Sequence, residues 1–336
     1  MSNIRSSAYR RNGLSWADAL AAVAVVVIWG LNFVAMKLAL AEFTPFQLGA
    51  ARYVVAAIPL IFFIRFPTMP WRWVVLGGLT QVGQFGFLFV ALRVGMTAAL
   101  ASVLMQTQVF FTTLLGAALL KEKITVAQGF GLGIALLGIG CFGIGVGAQG
   151  AAVTLIGLIL NLCAASMWAA SNIVVKKAQA GAPGYDALQY VVWMSAVPVL
   201  PFLALAYFFE AEQTRFQWVH AGLLAWGSVV YLGLIATVSA YFLWTWLLQR
   251  HPANRVAPLS LAVPVVGLSA GMLVLGEQVS LWQYAGSTLV VGALLMFLLR
   301  GRKARRFQAD PNVSSAPIRE LTTSVTATHV HLDRSG

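Results

Sequence analysis

Carboxylates are the scarcest chemistry in this chain. Its 336 residues include ten Asp and Glu against 22 Lys and Arg, and charged residues of both signs amount to 10% of the total. None of the acids falls in the middle of an apolar stretch: Glu42, Glu122, Asp186, Glu210, Glu212 and Glu277 map to stretch ends or to the polar segments between them. Exchange of a cation for a proton ordinarily needs a carboxylate at mid-membrane, so polycation export and simple proton antiport lose support. Cysteine is nearly absent as well. Cys141 and Cys163 lie inside apolar stretches, without metal-ligand spacing or polar neighbours, and read as core- or lipid-facing filler that says nothing about redox compartment. No P-loop, nucleophile elbow, metal motif or buried His pair occurs, and His220 and His251 sit at stretch borders as ordinary interface residues. An ATP-driven pump and a membrane enzyme therefore have little support, and no resident cofactor is expected.

Apolar length is abundant. Hydrophobic residues make up 60% of the chain and the mean hydropathy is +0.82, more than one soluble core can hide and what lipid readily solvates. Ten stretches match the thickness of a bilayer: Trp16–Met36, Phe46–Ile64, Trp73–Leu92, Ala98–Leu120, Ala127–Gly147, Thr154–Val175, Ala187–Phe209, Ala221–Leu248, Ala253–Leu275 and Tyr284–Leu299. The first resembles a signal peptide, but its apolar run is too long for that role and its counterpart in the second half is a span, so it stays in the mature chain.

With a cytoplasmic N-terminus the inner set of basic residues holds Arg5, Arg10, Arg11, Arg65, Arg72, Lys121, Lys123, Lys176, Lys177, Arg250, Arg255, Arg300, Arg302, Lys303, Arg305 and Arg306. The outer set is Lys37, Arg93 and Arg215. The positive-inside bias thus places both termini in the cytoplasm. The net charge of +12 is spread over alternate helix ends instead of one face, which argues against a nucleic-acid partner.

The second half repeats the first. Lys121-Glu122-Lys123-Ile124-Thr125, then Gln128 and Gly131, align with Gly276-Glu277-Gln278-Val279-Ser280, then Gln283 and Gly286, at an offset of 155 that also carries Gly116 onto Gly271. Trp29, Lys37 and Pro59 fall on Trp168, Lys176 and Pro198 at an offset of 139, and the polar stretch Glu210–His220 largely absorbs the difference. Five spans copied in tandem enter the membrane in opposite senses, so the fold expected is an all-α membrane protein of ten transmembrane helices in two inverted five-helix repeats, a transporter architecture. The divisions are a cytoplasmic segment 1–15, a first repeat 16–147, an external linker 148–153, a second repeat 154–300 and a disordered cytoplasmic tail 301–336.

Gly129, Gly131 and Gly133, and Gly267 with Gly271, place small residues a turn apart for close helix packing. Pro198 and Pro201 on the seventh span and Pro252, Pro258 and Pro264 on the ninth should bend those helices. Polar residues within spans are costly unless paired or facing a cavity: Asn32, Arg52, Gln81, Gln84, Gln106, Gln108, Asn172, Tyr241 and Ser260, with Trp168 and Trp244 as aromatic walls. For each amide, hydrogen bonding between helices is the competing role, and for Arg52 it is a clamp on helix-end carbonyls or snorkelling to the outer headgroups. Lys37 is expected to snorkel.

Trp29-Gly30-Leu31-Asn32-Phe33-Val34-Ala35-Met36-Lys37, the Leu275-Gly276-Glu277 corner and the run Arg255 to Leu268 resemble the ten-span EamA branch of the drug/metabolite transporter superfamily. With Ala98–Phe111 they are most similar to the bacterial exporters of O-acetylserine and cysteine. The corner is common to the superfamily, whereas the longer run is more selective. The likeness covers Trp16–Arg300, and one departure is Val109, where the family has a proline opposite Pro264. The resemblance implies an inner-membrane exporter of small amino-acid metabolites that works by alternating access around a central cavity. The alternatives are broader metabolite or drug efflux, or a membrane scaffold or receptor without flux. In such a cavity Asn32, Gln84, Gln106, Gln108 and Asn172 would supply amides, Trp168, Tyr241 and Trp244 aromatic faces for an ammonium, and Arg52 a partner for the carboxylate.

Overall fold

The computed structural model describes residues 15–146, 153–182, 184–251 and 256–308, with backbone alone at 245, 248, 249, 257, 258 and 297–308. Arg5, Arg10, Arg11, Pro252, Arg255, residues 148–152 of the linker and the tail from 309 onward lie outside the described residues.

Regular structure among the described residues is helical throughout. Helix starts are set by side chains that accept from otherwise orphaned backbone N–H groups, a need that apolar surroundings make acute. Ser15 and Asp18 form a capping box at α1 (Trp16–Ala39), and Thr44 with Pro45 opens α2 (Pro45–Ile61). The helix α3 (Trp71–Arg93) follows. Thr97 then caps α4 (Ala98–Leu104), which passes through a 3-10 turn, Met105–Thr107, into α5 (Gln108–Leu120). Thr125 and Gln128 form a second capping box at α6 (Val126–Gly145). Thr154 caps α7 (Leu155–Gly181), and Asp186 caps α8 (Ala187–Ala196). The chain breaks at Pro198 before α9 (Val199–Phe209), as the missing proline donor requires. Next, α10 (Leu223–Val230) runs through nine residues of π-helix, Tyr231–Ser239, into α11 (Ala240–Arg250). A 3-10 turn, Ala257–Leu261, precedes α12 (Ala262–Leu275), and α13 (Leu281–Gln308) ends the described chain. Its backbone is helical for eight residues beyond Arg300, so the segment 301–336, expected to lack structure, begins as helix.

Among the described residues, seven stretches are long and apolar enough to cross a membrane: Trp16–Ala39, Trp71–Arg93, Ala98–Leu120, Val126–Gly145, Leu155–Gly181, Ala187–Phe209 and Leu223–Trp244. Pro45–Ile61, Leu259–Leu275 and Leu281–Met296 are apolar but shorter. The outward display of apolar side chains, Phe62, Phe63, Phe208, Phe209, Leu223 and Leu273 among the most exposed, is that of a multi-pass membrane protein.

Local geometry repeats where the sequence repeats. Lys121 and Gly276 both take left-handed backbone, at φ 56° and 66°, and the N–H groups of Glu122 and Glu277 reach back to the carbonyls of Gly116 and Gly271, both at 3.2 Å. Ser280 and Gln283 then exchange hydrogen bonds as Thr125 and Gln128 do. The helix pairings match as well. The α1–α12 contact has its counterpart in α7–α5, and α3–α7 has its own in the packing of α1 on α10 and α11. Contacts of α6 with α13, and of α2 with α8 and α9, map onto themselves when the halves are exchanged.

At the Glu277 end the bundle is tied shut. Lys37 Nζ donates to the carbonyls of Leu92 at 2.7 Å and Met96 at 2.9 Å, and Arg93 Nη1 donates to the carbonyl of Leu40 at 2.9 Å. The N–H groups of Ala98 and Ala99 donate to the two carboxylate oxygens of Glu277 at 2.7 and 2.8 Å. Lys37 therefore clamps helix-end carbonyls in place of the snorkelling expected of it. Gly267 and Gly271 let α12 come against Ser102 and Ala99, so close that a Cβ at either glycine would collide. The α6 glycines behave otherwise: Gly129 and Gly133 meet nothing within 4 Å, because that face points out of the bundle, while Gly131 is buried. At the Glu122 end, Glu122 meets Lys176 with both side chains about half exposed. His251 sits there 2.9 Å from Asp18 in a contact only 13% exposed on the histidine side, which corrects its reading as a plain interface residue.

Candidate functional site

A cavity of about 360 Å³ opens where α1, α2, α3, α5, α7, α8, α11 and the two 3-10 turns converge. All nine residues singled out from the sequence, Asn32, Arg52, Gln84, Gln106, Gln108, Trp168, Asn172, Tyr241 and Trp244, line it, and so do Gln81 and Ser260. Both halves of the chain contribute. The 3-10 turns, Met105–Thr107 and Ala257–Leu261, lie at the cavity wall and at equivalent places in the repeat, where a change of helix type leaves a point about which the segments can pivot.

The lining residues differ in what they already bond. Asn172 Nδ2 donates to Gln108 Oε1 at 2.7 Å and to Thr112 Oγ1 at 3.1 Å, tying α7 to α5, so this pair fulfils the helix-bridging role. Asn32 Oδ1, Gln81 Oε1 and Gln84 Oε1 are buried without a hydrogen-bond partner. Such oxygens are costly unless a ligand or water completes them.

Arg52 is the charged member of the lining among the described residues and is only 3% exposed. Its Nε and Nη2 converge on Thr237 Oγ1 at 3.3 and 3.0 Å, and its Cζ lies 3.9 Å from the centroid of the Phe85 ring. Nη1 has no acceptor. Thr237 is itself held by donating to the carbonyl of Leu232 at 2.8 Å, a five-residue spacing that belongs to the π-helix. Arg52 thus does not clamp helix-end carbonyls, the alternative weighed for it.

Trp29 was missed as a lining residue. Its Nε1 donates to the carbonyl of Ala236 at 3.1 Å, and its ring lies 5.4 Å from those of Tyr241 and Trp244. The signal was present, since Trp29 is the repeat mate of Trp168. Thr237, Phe85 and Tyr53 also line the cavity, and nothing in their local sequence marks them.

The EamA-like transporter family model matches residues 16–144 and, a second time, 155–299. The chain belongs to the EamA-like transporter family. Among curated relatives this EamA-like transporter is 38% identical over 297 residues to the "Probable amino-acid metabolite efflux pump" of Salmonella typhimurium, covering 87% of this chain and 99% of that one. It is 37% identical over 295 residues to the protein of the same name in Escherichia coli, covering 87% and 98%. A solved crystal structure, 18% identical, superposes with a TM-score of 0.57 over 86% of this chain and all of its own, a likeness of fold. In the family's terms, the cavity lies between the two matched segments.

Proposed function

We propose that this EamA-like transporter exports small amino-acid metabolites, of the kind of O-acetylserine and cysteine, across a bacterial inner membrane by alternating access. The observation that carries the reading is the cavity itself: amides from both halves, an aromatic cluster and one buried guanidinium with a free N–H surround a single space. A carboxylate meets Arg52 Nη1, the unpaired oxygens of Asn32, Gln81 and Gln84 accept N–H groups, and Trp29, Tyr241 and Trp244 offer π faces. The names of the 37–38% identical relatives support the cargo class.

The ten spans are taken as two inverted five-helix repeats with both termini cytoplasmic. Two family matches, the repeated corners and the exchange-symmetric helix pairing support that arrangement. The shorter α2, at 17 residues, spans roughly 25 Å at 1.5 Å per residue, a shortfall that local thinning and flanking side chains accommodate. In this topology the tied Glu277 end is external and the cavity belongs to an inward-facing state.

A cavity of about 360 Å³ lies within the range of drug-sized sites, roughly 300–1,000 Å³, which favours a substrate set broader than cysteine alone. Counterflow of labelled cysteine and O-acetylserine in proteoliposomes, with and without a pH gradient, tests the function. Saturable exchange of either compound that survives collapse of the gradient is the expected result. No flux above protein-free vesicles would leave a scaffold or receptor, and loss of exchange with the gradient would establish proton coupling.

A further inference from the structure

We infer that, among amino-acid metabolites, the cavity takes by preference those of net charge −1: molecules whose amino group is acylated, or that carry a second carboxylate. This rests on the amino-acid export reading and narrows its substrate class. Arg52 lies 97% out of contact with solvent, and its neighbours leave its charge uncompensated. One face is covered by the Phe85 ring at 3.9 Å, and Nε and Nη2 share a single neutral oxygen on Thr237, whose own proton goes to the carbonyl of Leu232. Among the described residues the Nη1 edge has no acceptor, and none of those lining the cavity is Asp or Glu. A ring face and a hydroxyl stabilise a guanidinium without neutralising it, so the site stays one positive charge out of balance in a medium that penalises isolated charge.

Cargo supplies what the protein omits. A zwitterion brings a carboxylate and an ammonium together and leaves the loaded cavity as positive as the empty one, whereas a monoanion brings it to zero. An acylated amine offers the unpaired oxygens of Asn32, Gln81 and Gln84 one neutral N–H against the three charge-assisted donors of an ammonium, so the preference rests on the charge balance at Arg52 alone. The ring cluster of Trp29, Tyr241 and Trp244 offers apolar surface to an acyl group. A monoanion also has its own driving force. An inside-negative potential of about 60 mV favours outward movement of one negative charge tenfold, with no proton exchanged.

O-acetylserine and N-acetylserine are isomers that differ, near neutral pH, in net charge. Their efflux from proteoliposomes holding the purified full-length protein, at slightly acid pH to suppress acyl migration, tests the inference at zero potential and at an inside-negative potential set by potassium and valinomycin. The expected result is at least tenfold higher kcat/KM for N-acetylserine, with an efflux that rises under the potential while that of O-acetylserine does not. Arg52→Gln should erase the preference and Arg52→Lys keep it. The potential dependence needs no variant, so the question stays decidable if Arg52→Gln fails to fold. Equal efflux of the isomers, or faster O-acetylserine, overturns the inference and leaves amino-acid export standing. Efflux of neither above protein-free vesicles overturns both.

Discussion

Two amides that look alike in the sequence, Gln106 and Gln108, have different duties in the cavity wall. Gln108 is spoken for by Asn172, whereas Gln106 is buried at the 3-10 turn with no side-chain hydrogen bond among the described residues. Asn172→Ala should therefore act on stability, at roughly 1–3 kcal/mol for the buried groups left unpaired, and lower the unfolding temperature in detergent. Gln84→Ala and Gln106→Ala should instead lower transport while melting temperature and abundance stay near the parent's. A fall in abundance that matches the fall in flux would assign them to packing. Trp29→Phe keeps an aromatic ring but loses the bond to the carbonyl of Ala236, and should reduce flux several-fold. The cost of a polar group in an apolar run makes such positions readable from sequence alone, which is why all nine candidates line one space. Which of them are already partnered depends on neighbours far along the chain, Gln108 and Asn172 being 64 residues apart, and no local pattern carries that.

Helices reveal the same divide between local and distant causes. Hydropathy and N-capping residues place the apolar helices, and the Pro198 break follows from a missing donor. The π-helix at Tyr231–Ser239 has no composition that marks it. It is stabilised from outside, by Trp29 on the carbonyl of Ala236 and by Arg52 on Thr237. Gly129 and Gly133 show the converse, a small-residue pattern in the sequence that no partner helix uses. The Glu277 carboxylate on the first N–H groups of α4 is the contact at this scale with the largest consequence. Glu277→Ala removes two charge-assisted hydrogen bonds and should weaken the closed state by roughly 2 kcal/mol, about 30-fold in population. In a background lacking Cys141 and Cys163, a Val109→Cys reporter in the cavity should then react faster with an impermeant thiol reagent from outside. Lys37→Gln should act in the same direction, more weakly, since it loosens the carbonyls of Leu92 and Met96. Unchanged labelling in both variants would mean that this end is not a gate.

For the whole molecule, the proposed topology sets a simple test: single cysteines at Gln213 and at Gln179, both exposed, should label from outside and inside respectively in intact cells. Labelling of both from one side would end the inverted ten-span arrangement. The helix pairing has a further consequence, for biogenesis. Because α1 packs on α12, α3 on α7 and α6 on α13, each half buries much of its surface against the other. A nascent first half must therefore wait in the bilayer with Arg52 lacking its Thr237 acceptor until the second half leaves the ribosome. Its partner helix for α6 arrives last of all. Co-expressed fragments 1–150 and 151–336 should accordingly assemble in trans and restore flux, while either alone is cleared by membrane proteases, so that quality control recognises this protein by the delay between its halves.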